Sequence, residues 1–131
     1  MNSTPATRRD HAARIARLND LARKAMGVAS TVFVTPGFRA LDAKDQSRVR
    51  ELIETFDAFN KDNNPHGERD FGAIYQCADG RWTTTRPTGG ERERIFWKLD
   101  YYDRDLIYGS EDPANPTITR RVLTIMLAAE Y

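Results

Sequence analysis

The segment Phe96–Asp105 constrains the fold more than any other part of the chain, because with Ile95 before it the segment alternates as a β-strand does. Neighbouring side chains of a strand point to opposite faces of the sheet. One predicted face carries apolar and aromatic side chains: Ile95, Trp97, Leu99 and Tyr101. The other carries Phe96, Lys98, Asp100 and Tyr102. The first face predicts a hydrophobic core, whereas the second is compatible with either ligand binding or contact with water.

The length of 131 residues predicts a single domain over residues 1–131, and 40% hydrophobic with 30% charged residues is an ordinary composition for a soluble protein. No apolar run approaches the ~20 residues of a membrane helix. The segment Met1–Arg9 has no apolar stretch like that of a secretory signal, and the lone Cys77 excludes an internal disulfide. We therefore expect a cytoplasmic protein with no membrane contact.

Two helices are predicted in the first half of the chain. Thr4 and Pro5 are typical of a helix start, and Gly27 of its end, so a basic N-terminal helix is expected between them. A second helix is expected to open with a capping box at Asp42, and its apolar residues recur at helical spacing as far as Phe59. This amphipathic central helix should pack on a sheet.

Strand-like runs bounded by turn residues predict a sheet of four or five antiparallel strands. The predicted strands are 30–35, 70–77, 81–85 and 92–102, with 106–108 as a short additional candidate. Asp79-Gly80 is typical of a tight hairpin turn. Apolar residues from Ile118 to Ala129 share one helical face, which predicts a buried C-terminal helix after Asn115-Pro116. The expected fold class is α+β.

Several segments resemble the domain of unknown function 3768 family. They are Asp70-Phe71-Gly72-Ala73, 96–103, Tyr108-Gly109-Ser110, Asp112-Pro113 and 121–131, with 15–20 similar to the opening helix of that family. The resemblance implies a small α+β protein typical of proteobacterial genomes, plasmids and prophages. It brings no established activity, and it makes the arm Arg81–Glu93 the most plausible place for specialised binding.

The candidate binding residues lie on this arm and on the strand after it. They are Arg81, Trp82, Arg86, Arg92, Arg94, Lys98, Asp100 and Tyr102. Arginine and tryptophan are frequent anchors of protein interfaces, and the same pair can stack on nucleobases and bind phosphates. Alternatively, Trp82 belongs to the core and the arginines protect edge strands from aggregation.

We expect a non-enzymatic protein-binding factor without a cofactor, because the polar groups that catalysis would need are scattered along the chain. The mobile-element setting of the family suggests an inhibitor of a host defence complex, of the anti-CRISPR or anti-restriction type. Its partner would be a host protein or nucleoprotein complex. The alternative is a nucleic-acid-binding accessory protein that uses Arg81, Trp82 and Arg86.

A metal-assisted hydrolase is a further alternative. It would require Asp100 and Asp103 to converge with Glu68 or Asp70, since hard cations bind several oxygen ligands. A regular strand places Asp100 and Asp103 on opposite faces, so no metal site is assigned. The competing interpretation is that Lys98 and Asp100 form a surface pair and that Asp103 and Asp105 cap a turn.

Overall fold

Five strands form one mixed sheet in the computed structural model, which describes residues 5–131. The strands are β1 (Thr31–Val34), β2 (Phe71–Gln76), β3 (Trp82–Thr83), β4 (Glu93–Tyr102) and β5 (Arg120–Leu127). Their order across the sheet is β1-β5-β4-β2-β3. Strand β1 runs parallel to β5, while the other neighbours are antiparallel. The α+β class is confirmed, whereas a purely antiparallel sheet was expected and the sheet is mixed.

The helices are α1 (Pro5–Lys24), α2 (Pro36–Arg39) and α3 (Ala43–Glu54), with a terminal 3-10 helix over Ala128–Glu130. Thr4, the predicted cap of α1, lies outside the described residues. Gly27 turns the chain after α1 with a φ of 82°, a left-handed conformation that glycine adopts without strain. The predicted second helix begins as expected, but Asp42 makes no side-chain capping bond.

Helix α3 ends at Glu54, before the predicted Phe59, and a buried arginine of α1 donates to one carbonyl in its last turn and to one just beyond its end. Arg23 is 2% exposed, and its Nη1 donates to the carbonyl oxygens of Ile53 at 2.9 Å and Phe56 at 3.0 Å. A cation is favourable at a helix C-terminus, where carbonyls lack partners within the helix. Phe56 then packs on Trp97 with 5.3 Å between ring centroids, and the Arg23 guanidinium lies 5.1 Å from the Trp97 ring.

The predicted C-terminal helix is wrong, because this segment is strand β5 in the interior of the sheet. Its apolar run includes Val122, Leu123, Ile125 and Met126, and all four side chains are buried. A strand buried on both faces loses its alternation and becomes a continuous apolar run, which also contains helical spacings. Pairing with β1 on one side and β4 on the other selects the strand.

The hydrophobic core lies between the sheet and the helices α1 and α3. Ile95, Trp97 and Leu99 of β4 point into it, which confirms the predicted inner face of this strand. Gly72 of β2 lies under the indole of Trp97, and a Cβ built at Gly72 would come within 2.5 Å of its Nε1. Both helices therefore cover the same face, and the opposite face carries the other half of the β4 pattern.

Candidate binding surface on the open sheet face

The predicted arm does not present its tryptophan to a partner. Trp82 is only 6% exposed, and its Nε1 donates a hydrogen bond of 3.0 Å to the Asp45 carboxylate of α3. Trp82 pairs with Gln76, which lies on the same face of β2 as the core residues Gly72 and Ile74. The Trp82 ring therefore lies on the face that α3 covers. The expectation of an exposed tryptophan is wrong, and the interpretation that Trp82 belongs to the core is confirmed.

Three of the candidate arginines, Arg81, Arg86 and Arg94, form ion pairs with nearby carboxylates. The Arg81 Nε lies 2.7 Å from the Asp79 carboxylate of its own turn. Arg86 and Arg94 share Glu91, with Nε to carboxylate distances of 3.2 and 3.1 Å. The hydrogen bond from Arg94 lowers the pKa of Glu91. These guanidinium groups already have counterions, so the arm offers a partner much less positive charge than the sequence suggests.

Arg92 differs from these arginines, because no carboxylate oxygen of residues 5–131 lies within 4.0 Å of its guanidinium. Its backbone amide donates to the carbonyl of Gln76 at 2.8 Å, and its side chain extends past the turn glycine Gly80. Arg92 lines a groove together with Trp82, but the Trp82 indole is buried and bonded to Asp45, so this single exposed cation is a weak basis for a binding site.

The sheet face opposite the helices holds a groove of about 680 Å³. Strand register explains its composition: Phe33 of β1 and Lys98 of β4 both pair with Thr124 of β5, so the three side chains form one row. Asp100 and Tyr102 continue along β4 in the same groove. The structure therefore brings three of the predicted site residues, Lys98, Asp100 and Tyr102, into one surface.

An aromatic cluster borders this groove. Phe71 and Phe96 lie 5.0 Å apart between ring centroids, and the terminal Tyr131 lies 5.9 and 5.6 Å from them. Tyr131 is 74% exposed, and Phe33 on the other side of the groove is 55% exposed. Such partly exposed aromatic rings on a sheet can contribute large contact areas to an interface.

Two sets of polar contacts hold the groove in shape. The Lys98 Nζ lies 2.9 Å from the Asp100 carboxylate, and this hydrogen bond raises the pKa of Lys98. The predicted surface pair is thereby confirmed. The Glu130 carboxylate accepts hydrogen bonds from the Thr35 hydroxyl and from the Gly37 amide, and the Thr35 bond lowers the pKa of Glu130. Glu130 thus ties the end of the chain, where Tyr131 lies, to the end of β1.

The carboxylates of the hydrolase alternative do not converge. Asp103 accepts hydrogen bonds from the backbone amides of Asp105 at 3.2 Å, Ile107 at 3.0 Å and Tyr108 at 3.3 Å, so it caps a turn. That turn replaces the short strand predicted over 106–108. Within residues 5–131, no three His, Cys, Asp or Glu side chains are arranged to hold a metal ion. The geometry gives a metal-dependent hydrolase no support.

Sequence interpretation missed Phe33 and Tyr131 as members of this surface. The order Val32-Phe33-Val34 in a short strand could have indicated that Phe33 points away from its two neighbours. It could not have shown that β1 lies beside β5. Nothing local distinguishes the terminal Tyr131.

The fold and this surface together define an α+β protein with helices on one side of a mixed sheet and an open groove on the other. No helix within residues 5–131 combines the length and apolar character needed to cross a membrane. The chain belongs to the family described as protein of unknown function (DUF3768), whose model matches residues 34–130. This match confirms the predicted resemblance, although the similar segment 15–20 lies outside it. Comparisons with curated proteins and with solved structures found no match.

Proposed function

We propose that this protein is a cytoplasmic, non-enzymatic factor that binds another protein through the open sheet face. The observation that carries the proposal is the exposure of Phe33 and Tyr131 around a groove that α1 and α3 leave uncovered. Apolar and aromatic surface rimmed by polar groups is typical of interaction sites, and aromatic residues are enriched in the centres of interfaces.

The charges of the groove favour a protein over a nucleic acid. Lys98 is neutralised by Asp100, and Glu130 adds a negative charge. Binding to nucleic acid depends on an excess of cations that replace the counterions of phosphates. The open face has no such excess, so a protein surface of mixed polarity fits it better.

The proposal assigns no enzymatic activity to the groove, because its polar side chains are already bound to one another. Lys98 and Asp100 bind each other, and the carboxylate of Glu130 is engaged by the end of β1. A general base or nucleophile needs a reactive atom directed at a substrate. A mobile-element origin and a host defence complex as the partner also belong to the proposal, and they rest on the family resemblance alone.

The experiment compares the wild-type protein with two surface variants in their affinity for a captured partner. Tagged wild-type protein captures its partner from a lysate of the native host, and the identified partner is then purified and titrated by calorimetry. We expect Phe33→Asp to weaken binding at least about tenfold, the effect of losing one aromatic anchor and adding a charge. Ile107→Asp introduces the same charge at an exposed position outside the groove and should bind as the wild type does.

The proposal fails if Phe33→Asp retains wild-type affinity while its thermal unfolding is unchanged. Should Phe33→Asp unfold at a lower temperature, Tyr131→Ala provides the same test, because this side chain is largely exposed. If both single variants, Tyr131→Ala and Phe33→Asp, are folded and bind the partner with unaltered affinity, the open face is excluded as the contact surface.

A further inference from the structure

A second groove, of about 440 Å³, lies where the end of α1 meets the beginnings of β1 and β5. Its lining includes Leu21, Val28, Thr31 and the arginines Arg104, Arg120 and Arg121, and none of its lining residues is acidic. We call this surface the basic groove. It is separate from the aromatic cluster and from the arm.

Two arginines of the basic groove lack a counterion. Among residues 5–131, no carboxylate oxygen lies within 4.0 Å of the guanidinium of Arg104 or Arg120. Arg120 instead donates to two neutral acceptors, the Arg104 carbonyl at 3.5 Å and the Thr31 hydroxyl at 3.3 Å. Guanidinium groups form their strongest hydrogen bonds with carboxylates and phosphates, often through two parallel contacts. The groove therefore has unused capacity for an anion.

A third arginine adds positive charge behind these two. Arg121 is 5% exposed, its Nε donates to the Asn19 amide oxygen at 2.7 Å, and its guanidinium lies 5.1 Å from the Tyr101 ring. Burial lowers the pKa of Arg121, although guanidinium groups stay charged at neutral pH. The hydrogen-bond partners of Arg121 are neutral, and the nearby Glu68 carboxylate, which acts to raise its pKa, offsets part of the positive potential that this buried cation adds to the groove.

The groove also has an aliphatic rim. Val28 is 90% exposed and Leu21 is 53% exposed. Exposed aliphatic side chains gain from contact with apolar atoms of a ligand. An occupant that satisfies the whole groove must carry both negative charge and apolar side chains.

We infer that the basic groove binds an acidic segment of the protein partner, with carboxylates on Arg104 and Arg120 and apolar side chains against Leu21 and Val28. This inference rests on the proposed protein-binding function and adds the chemistry of the bound segment. A second copy of this chain fits poorly, because like-charged grooves repel each other. A nucleic acid is less favoured, because no aromatic ring lines the groove to stack on a base.

The test uses short fluorescein-labelled peptides and fluorescence anisotropy. A peptide of alternating glutamate and leucine is compared with a peptide in which glutamine replaces every glutamate. We expect the glutamate peptide to bind at least about tenfold more tightly at low ionic strength, and its affinity to fall as salt is added. Equal affinity for the two peptides overturns the inference.

Charge-reversal variants localise the binding. Arg104→Glu combined with Arg120→Glu should abolish the preference for the glutamate peptide. Lys44→Glu combined with Lys61→Glu makes the same change in net charge at exposed positions outside the groove, and it should retain the preference. If the double reversal unfolds, Arg104→Gln with Arg120→Gln removes the charges more gently. Retention of the preference by a folded groove variant overturns the inference, as does tighter binding of a single-stranded oligonucleotide than of the glutamate peptide.

The two proposals can fail separately. If Phe33→Asp loses the partner while the arginine variants retain it in full, the open face is functional and the groove inference is wrong. If neither kind of variant affects the partner, the proposed use of the open face is wrong. The peptide titrations then still decide whether the groove recognises acidic segments.

Discussion

Arg23→Met removes the guanidinium that connects α1 to the end of α3 and keeps much of the apolar stem. Each hydrogen bond from a charged group contributes about 1.5–3 kcal/mol, so the two bonds to the carbonyls of Ile53 and Phe56 account for about 3–6 kcal/mol. The variant also loses the ion pair with Asp20. Part of this loss is offset, because the buried Nε of Arg23 has no hydrogen-bond partner and the desolvation of a cation is relieved. We expect a net loss of about 2–4 kcal/mol in the free energy of unfolding.

Urea unfolding followed by circular dichroism measures this change. Arg17→Met on the same helix is the matched control, because Arg17 is exposed and its substitution should change the stability by less than about 0.5 kcal/mol. Arg23→Lys should fall between wild type and Arg23→Met, since an ammonium keeps the charge but lacks the planar fork. A loss below about 1 kcal/mol for Arg23→Met, or no difference from Arg17→Met, would refute the capping role of Arg23.

Two further substitutions test the structure elsewhere. Trp82→Phe removes the indole donor to Asp45 and part of a buried ring, so we expect thermal unfolding to show a loss of about 1–3 kcal/mol; an unchanged stability would contradict the buried position of Trp82. Burial raises the pKa of Asp70. Ionisation of this carboxyl group therefore destabilises the folded state once the pH rises above the unfolded pKa of about 3.9, and well below that pH the destabilisation is absent. Asp70→Asn should therefore stabilise the protein at neutral pH and lose that advantage in acid, as measured by urea unfolding at both pH values; destabilisation at neutral pH would disprove this argument.

The prediction of β4 succeeded because its alternation is a local property. Each of its side chains lies on the face that its position in the sequence assigns, with Trp97 inside and Lys98 outside. The start of α3 was predicted from the capping residues at Asp42, and the turn at Gly80 from the pair Asp79-Gly80; the helix does begin at Ala43, and Gly80 has a φ of 93°. Such features follow from the chain's own sterics and periodicity.

The prediction of the C-terminal segment failed for the opposite reason. Val122 to Leu127 is apolar at almost every position, so the local pattern is compatible with a buried helix and with a buried strand. Hydrogen bonding to two neighbouring strands determines the outcome, and those strands are distant in the sequence. Trp82 was equally ambiguous, because β3 has two residues and shows no alternation.

Local order along this chain thus follows from the residues themselves: which segments are helical or extended in most cases, where the turns lie, and which β4 side chains enter the core. The two candidate surfaces were beyond the reach of such reasoning. Phe33, Lys98 and Tyr131 meet only because β1, β4 and β5 are neighbours in the sheet, and Arg104 and Arg120 lack counterions only because folding places no carboxylate beside them. Periodicity acts between near neighbours, whereas charge pairing and shared surfaces depend on contacts between distant segments.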